Sequence, residues 1–197
     1  RFGAYPYREL DVVEAALVGG AGGVEFSGLV TVASMFYRPS DLGALGMLGG
    51  MGAAGIEDAM LELVTAHEVA HQWWHGIVGS DSRNHPWVDE SLAQWSALHW
   101  VEERHGAARM AEERERQVAM NYRAMRMMGV PDGAVDRPAS AFGAPIAYAG
   151  LVYGKGPLLY DALRAELGDA LFFESMRAYV ERYRFREAPA RGPIDVL

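Results

Sequence analysis

The 197-residue chain is half hydrophobic, sets 18 basic against 26 acidic residues for a formal net charge of −8, and contains no cysteine. That length and apolar content suffice for one globular domain with a sizeable core. The acidity argues against a nucleic-acid surface, which needs clustered Lys and Arg, and the absence of thiols removes disulfides and thiolate metal sites, leaving His, Asp and Glu as the strong ligands.

No apolar run reaches the roughly 18 residues that span a bilayer, and the N-terminus RFGAYPYREL has no basic flank leading into an apolar core, so neither a membrane span nor a signal peptide is expected. Beginning at Arg1 rather than Met, the chain reads as a piece of a longer protein, compatible with cytoplasmic and with secreted or periplasmic settings. Seventeen of its 18 basic residues are Arg, which fits a GC-rich genome or a warm habitat equally.

From Leu10 to Met35 the residues are β-friendly and interrupted by the cluster GGAGG, which predicts two strands around a turn or bulge. The following DLGALGMLGGMGAAGIED is too rich in glycine for a firm helix and reads as a mobile loop. A helix is predicted from Glu57 through AMLELVTAHEVAHQWWHG, with Gly76 as its stop. A second starts near Pro86, a residue suited to a first turn, and runs to Gly106. A third, AARMAEERERQVAMNYRAMRMM, has a charged, solvated face, and two more follow a proline-broken loop as AGLVYGKGPLLYDALRAELG and DALFFESMRAYVERYRF. The tryptophans 73, 74, 87, 95 and 100 recur at near-helical spacing and are expected in the core. There is no internal repeat, and residues 188–197 read as a linker toward a further domain.

The chemistry concentrates in HEVAHQWWHGIVGSDSRNHPWVDESLAQ, residues 67–94. Residues four apart on a helix share a face, so His67 and His71 can both reach one metal ion. Glu68 sits beside that face, badly placed as a ligand but able to reach a water held by the metal, where a general base belongs. A catalytic zinc site needs a third protein ligand and an open position. Glu90 is the candidate: eighteen residues lie between it and His71, room for one helix to end and another to return alongside. His75 lies too far along the helix to share that ion and is assigned to the pocket or the surface. His85, His99 and His105 lack a partner pattern and read as structural. Asp89 is either an orienting carboxylate for a histidine or a helix-start carboxylate favoured by the macrodipole.

These residues resemble the gluzincin metallopeptidases of the aminopeptidase N and leukotriene-hydrolase type. HEVAHQWW and WVDES are similar to that family's HExxHxW and W-x-N-E-G signatures, with Asp89 and Ser91 standing for the usual Asn and Gly. The resemblance implies that His67, His71 and Glu90 hold zinc and that Glu68 is the base. GGVEF, residues 22–26, is similar to the family's GxMEN element. It implies that Glu25 holds the free α-amino group of a peptide, with Gly22 and Gly23 letting the substrate backbone approach. YAGLVYGKG, residues 148–156, is similar to the family's tyrosine followed by x-K-G, which implies that the Tyr153 hydroxyl donates to the oxyanion; Lys155 is the chain's only lysine.

The expectation is therefore an α+β, thermolysin-like zinc peptidase catalytic domain over residues 1–187, incomplete at its N-terminus, followed by the linker. Its expected function is that of a metallo-aminopeptidase with one Zn²⁺ per chain, acting on peptides, with flanking domains in the parent protein. A zinc endopeptidase of the thermolysin sort and a non-catalytic metal-binding fragment are the alternatives. By ligand type the metal is zinc, with cobalt and manganese also compatible.

Overall fold

The computed structural model describes residues 1–38 and 56–197. The glycine-rich run expected to form a mobile loop lies, up to residue 55, outside the described residues.

The β-friendly stretch forms three strands rather than two: β1 (Asp11–Ala15), β2 (Gly23–Phe26) and β3 (Leu29–Ala33). VEFSGLV reads as continuous strand, but Gly28 takes φ 79°, a left-handed conformation that costs glycine little. The chain reverses there, so that Phe26 pairs with Leu29. β3 is central, parallel to β1 and antiparallel to β2, which leaves β2 at an edge. The register sets Gly23 opposite Val32 and Glu25 opposite Val30. Opposed residues share a face and alternate along the strand, so Gly23 and Glu25 look the same way as the fully buried Val30 and Val32.

That face covers α1 (Ile56–Ala70), whose Met60, Leu61 and Val64 pack against Val32, Ala33 and Phe36. α1 ends at Ala70, six residues before the Gly76 stop read from the sequence. Beyond it the amides of Gly76, Ile77 and Val78 bond the carbonyls of His71, Gln72 and Trp73, each at 2.9 Å, a wide i→i+5 coil. His75 within it has φ 148°. The apolar spacing runs on through this coil because the tryptophans still face the core.

The chain then forms β4 (Val78–Gly79) and the helix α2 (Glu90–His105). α2 begins four residues later than Pro86: Asp89 is its N-cap, accepting from the Glu90 amide at 2.8 Å. Its end is as expected, with Gly106 at φ 89° and its N–H on the Glu102 carbonyl. The charged third helix is continuous but contains a π-helical turn, running as α3 (Ala107–Glu113), the turn Arg114–Ala119, and α4 (Met120–Met127). α5 (Pro145–Tyr148) leads into a second π-helical segment, Ala149–Lys155, and then α6 (Gly156–Tyr183). Gly168, at φ 75° and ψ 158°, breaks α6 into the two helices read from the sequence.

β5 (Arg186–Glu187) pairs in parallel with β4, and α7 (Gly192–Asp195) follows. In this last stretch Ala188, Gly192 and Pro193 are buried, and Val196 and Leu197 pack on the main core. That core joins α2, α6 and the coil after α1 through Trp74, Trp87, Trp95, Tyr160, Phe172, Met176 and Tyr179. Trp100 departs from the core expectation: it is 49% exposed and its indole N–H donates to Glu62 at 3.0 Å. No helix among the described residues is long and apolar enough to cross a membrane. The architecture is α+β, a small sheet laid over a helical body.

Candidate active site

His67 leaves the last turn of α1, His71 the first residue of the wide coil, and Glu90 the first residue of α2. Their reactive atoms converge: His67 Nε2 and His71 Nε2 are 3.1 Å apart, Glu90 Oε2 is 3.2 Å from the former and 3.4 Å from the latter. Ligand atoms bound at about 2.0–2.1 Å to a tetrahedral zinc ion stand roughly 3.3 Å from one another, so the three atoms have the spacing of one face of such a site. His71 Nδ1 is 3.0 Å from the Trp74 carbonyl. That bond occupies Nδ1, so that Nε2 is the nitrogen turned toward the common point.

The electrostatics agree with the spacing. Burial raises the Glu90 carboxyl, but hydrogen bonds from His67 and His71 overcome it and hold the group far below the usual carboxylate range. Burial works against charge on His71, yet the bond and the field of Glu90 pull it up to about 10. Two imidazoles and a carboxylate that together attract a positive charge are the donor set of a divalent cation.

Glu68 lies on the sheet side of α1. Its carboxylate is buried, with Oε2 lacking a hydrogen-bond partner among the described residues. Burial pushes it up to about 8, His71 opposes, and Glu25 and Glu90 add to the rise. Gly23 of β2 lies directly against it, where any Cβ would overlap the Glu68 carboxylate. Glu25, Glu68 and His71 each offer a ligand-type atom within 4.8 Å of the others, so the Glu25 and Glu68 carboxylates face one cleft.

That cleft encloses about 440 Å³ and is lined by Gly22, Gly23, Glu25, His67, Glu68, His71, Glu90 and Tyr153. Every site residue singled out from the sequence is in its wall. Tyr153 comes from the π-helical segment, its ring centroid 5.7 Å from that of His67. Burial, then the neighbouring Glu90 and Tyr148, raise its phenol well above the ordinary value. It is therefore a proton donor throughout the neutral range.

The remaining histidines stay outside the cleft wall. His75 Nδ1 is 3.3 Å from Asp89, His85 Nδ1 is 2.6 Å from Asp136, and His105 Nε2 is 2.9 Å from Glu62. His99 stacks on Trp95 at 5.5 Å. Asp89 fulfils both of its readings, capping α2 and receiving His75, Ser80 and Ser82, but the histidine it touches is not one of the converging pair. Lys155 reaches away from the cleft to Asp132 and the Gly133 carbonyl, both at 2.9 Å, fastening the loop before α5.

Sequence reasoning missed two residues that build the site. Gln72, 1% exposed, accepts from the Gly28 amide at 2.8 Å and donates to the Phe26 carbonyl at 2.9 Å, tying the β2–β3 turn to the residue after His71. Ser91 Oγ donates to the Val152 carbonyl at 2.6 Å. Both contacts join residues more than forty positions apart, and no local pattern signals them. Gln94, Gln117 and Asn121 also line the cleft without having been singled out.

Residues 3–192 match the sequence model of the peptidase family M1 domain. Among curated proteins the chain is 28% identical to human aminopeptidase RNPEPL1 over 143 residues, covering 70% of this chain and 20% of that one. It is 26% identical to aminopeptidase M1-A of Oryza sativa subsp. japonica over 189 residues, covering 93% of this chain and 20% of that one. The chain thus spans about a fifth of the length of the curated relatives it matches. Its fold superimposes on a mutant M1 zinc metallopeptidase from Deinococcus radiodurans bound to a Tyr-Ser-Ala substrate, with a TM-score of 0.68 and 22% identity over 99% of this chain and 37% of that one.

Proposed function

The chain belongs to peptidase family M1, and from that premise we propose that it is the catalytic domain of a zinc-dependent aminopeptidase whose parent protein carries flanking domains. The observation that carries the proposal is the convergence of His67, His71 and Glu90 on one point, with mutual separations of 3.1–3.4 Å, beside the two further carboxylates Glu68 and Glu25. The relatives' names as aminopeptidases and the neighbour's zinc and peptide support the same reading.

In this reading His67, His71 and Glu90 hold the ion. Zinc, when bound, acts as a Lewis acid toward the substrate carbonyl and makes water a better nucleophile at neutral pH. Glu68 takes the proton from the attacking water and delivers it to the leaving amine, a transfer worth on the order of 10²–10⁴ in rate. Its burial against Gly23 keeps bulk water from competing for that proton. The Tyr153 phenol donates to the oxyanion that forms at the attacked carbonyl. Glu25 pairs with the ammonium at the peptide N-terminus, and β2, an edge strand among the described residues, receives the substrate backbone as an added strand. Cleavage then falls after the first residue.

The test uses the zinc-loaded protein and two peptides identical except for N-acetylation, following release of the first residue by mass spectrometry beside a Glu68→Gln control. Cleavage of the free peptide alone, abolished in the control, is the expected result. Equal cleavage of both would point to an endopeptidase, and zinc binding without cleavage of either would point to a non-catalytic metal-binding fragment. Full turnover by Glu68→Gln would remove the base assignment.

A further inference from the structure

The π-helical segment that carries Tyr153 has a backbone defect. In an α-helix the Val152 carbonyl would accept from the amide of residue 156, but the Gly156 N–H is spent on the Leu151 carbonyl. In continued π geometry the next donor would come from residue 157, which is proline and has no N–H. The Val152 carbonyl is thus left without a helical partner in a residue that is fully buried, a destabilising situation if nothing fills it.

Ser91 fills it. Its side chain, also fully buried, donates to the Val152 carbonyl at 2.6 Å. The space it occupies exists because residue 156 is glycine: a Cβ there would overlap the Ser91 hydroxyl. The bond joins the residue after Glu90 to the residue before Tyr153, so it spans the two elements that present the third ligand and the phenol.

We propose that Ser91 is a positioning residue that fixes the Tyr153 phenol relative to Glu90, with the Gly156-Pro157 pair making both the vacancy and the need. The proposal rests on the reading of Tyr153 as the oxyanion donor. Without the Ser91 hydroxyl the segment keeps its packing and the Tyr153–Glu90 side-chain hydrogen bond but loses its backbone tie to the start of α2, and the phenol drifts from its working position.

The experiment is a double-mutant cycle of Ser91→Ala and Tyr153→Phe in the zinc-loaded protein, with kcat and KM measured on a free-N-terminus peptide and zinc content checked for each variant. Misplacement by about an ångström can cost up to about 10²-fold in rate. Ser91→Ala is expected to lower kcat about tenfold or more, with KM changed less than about twofold and zinc content unchanged. In the Tyr153→Phe background the same substitution should change kcat by less than about twofold. An equal fold-loss in both backgrounds, a loss confined to KM, or no loss at all would overturn the proposal.

Undiminished kcat in Tyr153→Phe alone would instead overturn the underlying role of Tyr153, a failure the cycle reads separately. Should Ser91→Ala fail to fold, Ser91→Cys, of similar volume and weaker donor strength, is expected to give a smaller kcat loss of the same pattern. A second readout needs neither metal nor substrate. With fluorotyrosine incorporated, the ¹⁹F resonance assigned to Tyr153 should move or broaden in the Ser91 variant while those of Tyr160 and Tyr179 stay put; an unmoved Tyr153 resonance counts against the proposal.

Discussion

The Gln72 carboxamide donates to the Phe26 carbonyl at 2.9 Å and, through its oxygen, accepts from Gly28 at 2.8 Å. One side chain thereby locks the turn that follows Glu25 to the coil that starts with His71. Replacing Gln72 by Ala leaves the Phe26 and Gly28 backbone groups without this partner, at a cost of roughly 1–3 kcal/mol, or several degrees in Tm for a domain of this size. Because Glu25 is one residue from Phe26, KM for peptides with a free N-terminus should rise several-fold while kcat changes less than about twofold. Thermal unfolding beside steady-state kinetics on the free-N-terminus peptide checks this; an unchanged KM would detach Gln72 from substrate recognition.

Gly23 and Glu68 are in direct contact, and a methyl group at residue 23 has nowhere to go except into the carboxylate. Gly23→Ala should therefore push the Glu68 carboxylate off its position and, with Glu68 as the proposed base, reduce kcat by about tenfold or more. Zinc content should stay at the wild-type level, since the atoms nearest the new methyl group all belong to Glu68 and none to His67, His71 or Glu90. Kinetics beside metal analysis will show whether the loss is catalytic, and wild-type kcat would mean that the strand yields instead.

Metal binding should appear as stability. A ligand that binds only the folded chain at about 100 times its Kd adds about 2.7 kcal/mol. Zinc should therefore raise the unfolding temperature of the wild-type chain by several degrees and leave Glu90→Ala, which lacks one of the three donors, almost unshifted. Scanning calorimetry with and without zinc, followed by chelator, makes the comparison, and an equal shift in both proteins would place the ion elsewhere.

His99 gives a pH dependence that is independent of the metal cluster. Burial lowers its pKa, opposed by the Glu102 hydrogen bond and by Glu103, while Arg164 adds to the lowering. A histidine depressed in the folded state takes up its proton more readily when unfolded, so its contribution is fully present above the unfolded value near 6.5 and is lost as pH falls through the folded pKa. Metal-free wild-type protein should lose more stability between about pH 6.5 and pH 5 than metal-free His99→Gln. Urea unfolding across that window tests the difference, and parallel curves would exclude the effect.

Much of this was legible in the sequence. The i, i+4 histidines, the intervening glutamate and a second helix returning with Glu90 follow from helical geometry, and the cleft contains each of them. What escaped has physical causes. The turn at Ser27 and Gly28 is only two residues long inside otherwise unbroken β-formers, so two strands looked like one. Apolar periodicity persisted past Ala70 because the wide coil still buries Trp74 and Ile77. Pro86 suits a helix start, yet Asp89 offers a better cap and gathers Ser80, Ser82 and His75 around it. The π-helical segments have no propensity signature, because they arise where tertiary packing inserts one residue into a turn.

The hairpin register carries a consequence for how this domain tolerates change. β2 has only four residues, and it roofs the Glu68 carboxylate with one of them and faces the cleft with another two positions on. Sliding that strand by a single residue against β3 would exchange its faces, turning Val24 toward Glu68 and swinging Glu25 out to solvent. A one-residue deletion in the glycine run from Gly19 to Gly23 is therefore a frameshift in space. If the loop cannot absorb it, the fold survives with His67, His71 and Glu90 still converging and the Glu25 carboxylate turned out of the cleft. Loop length ahead of β2, more than any side chain in it, is the dimension in which this site is brittle.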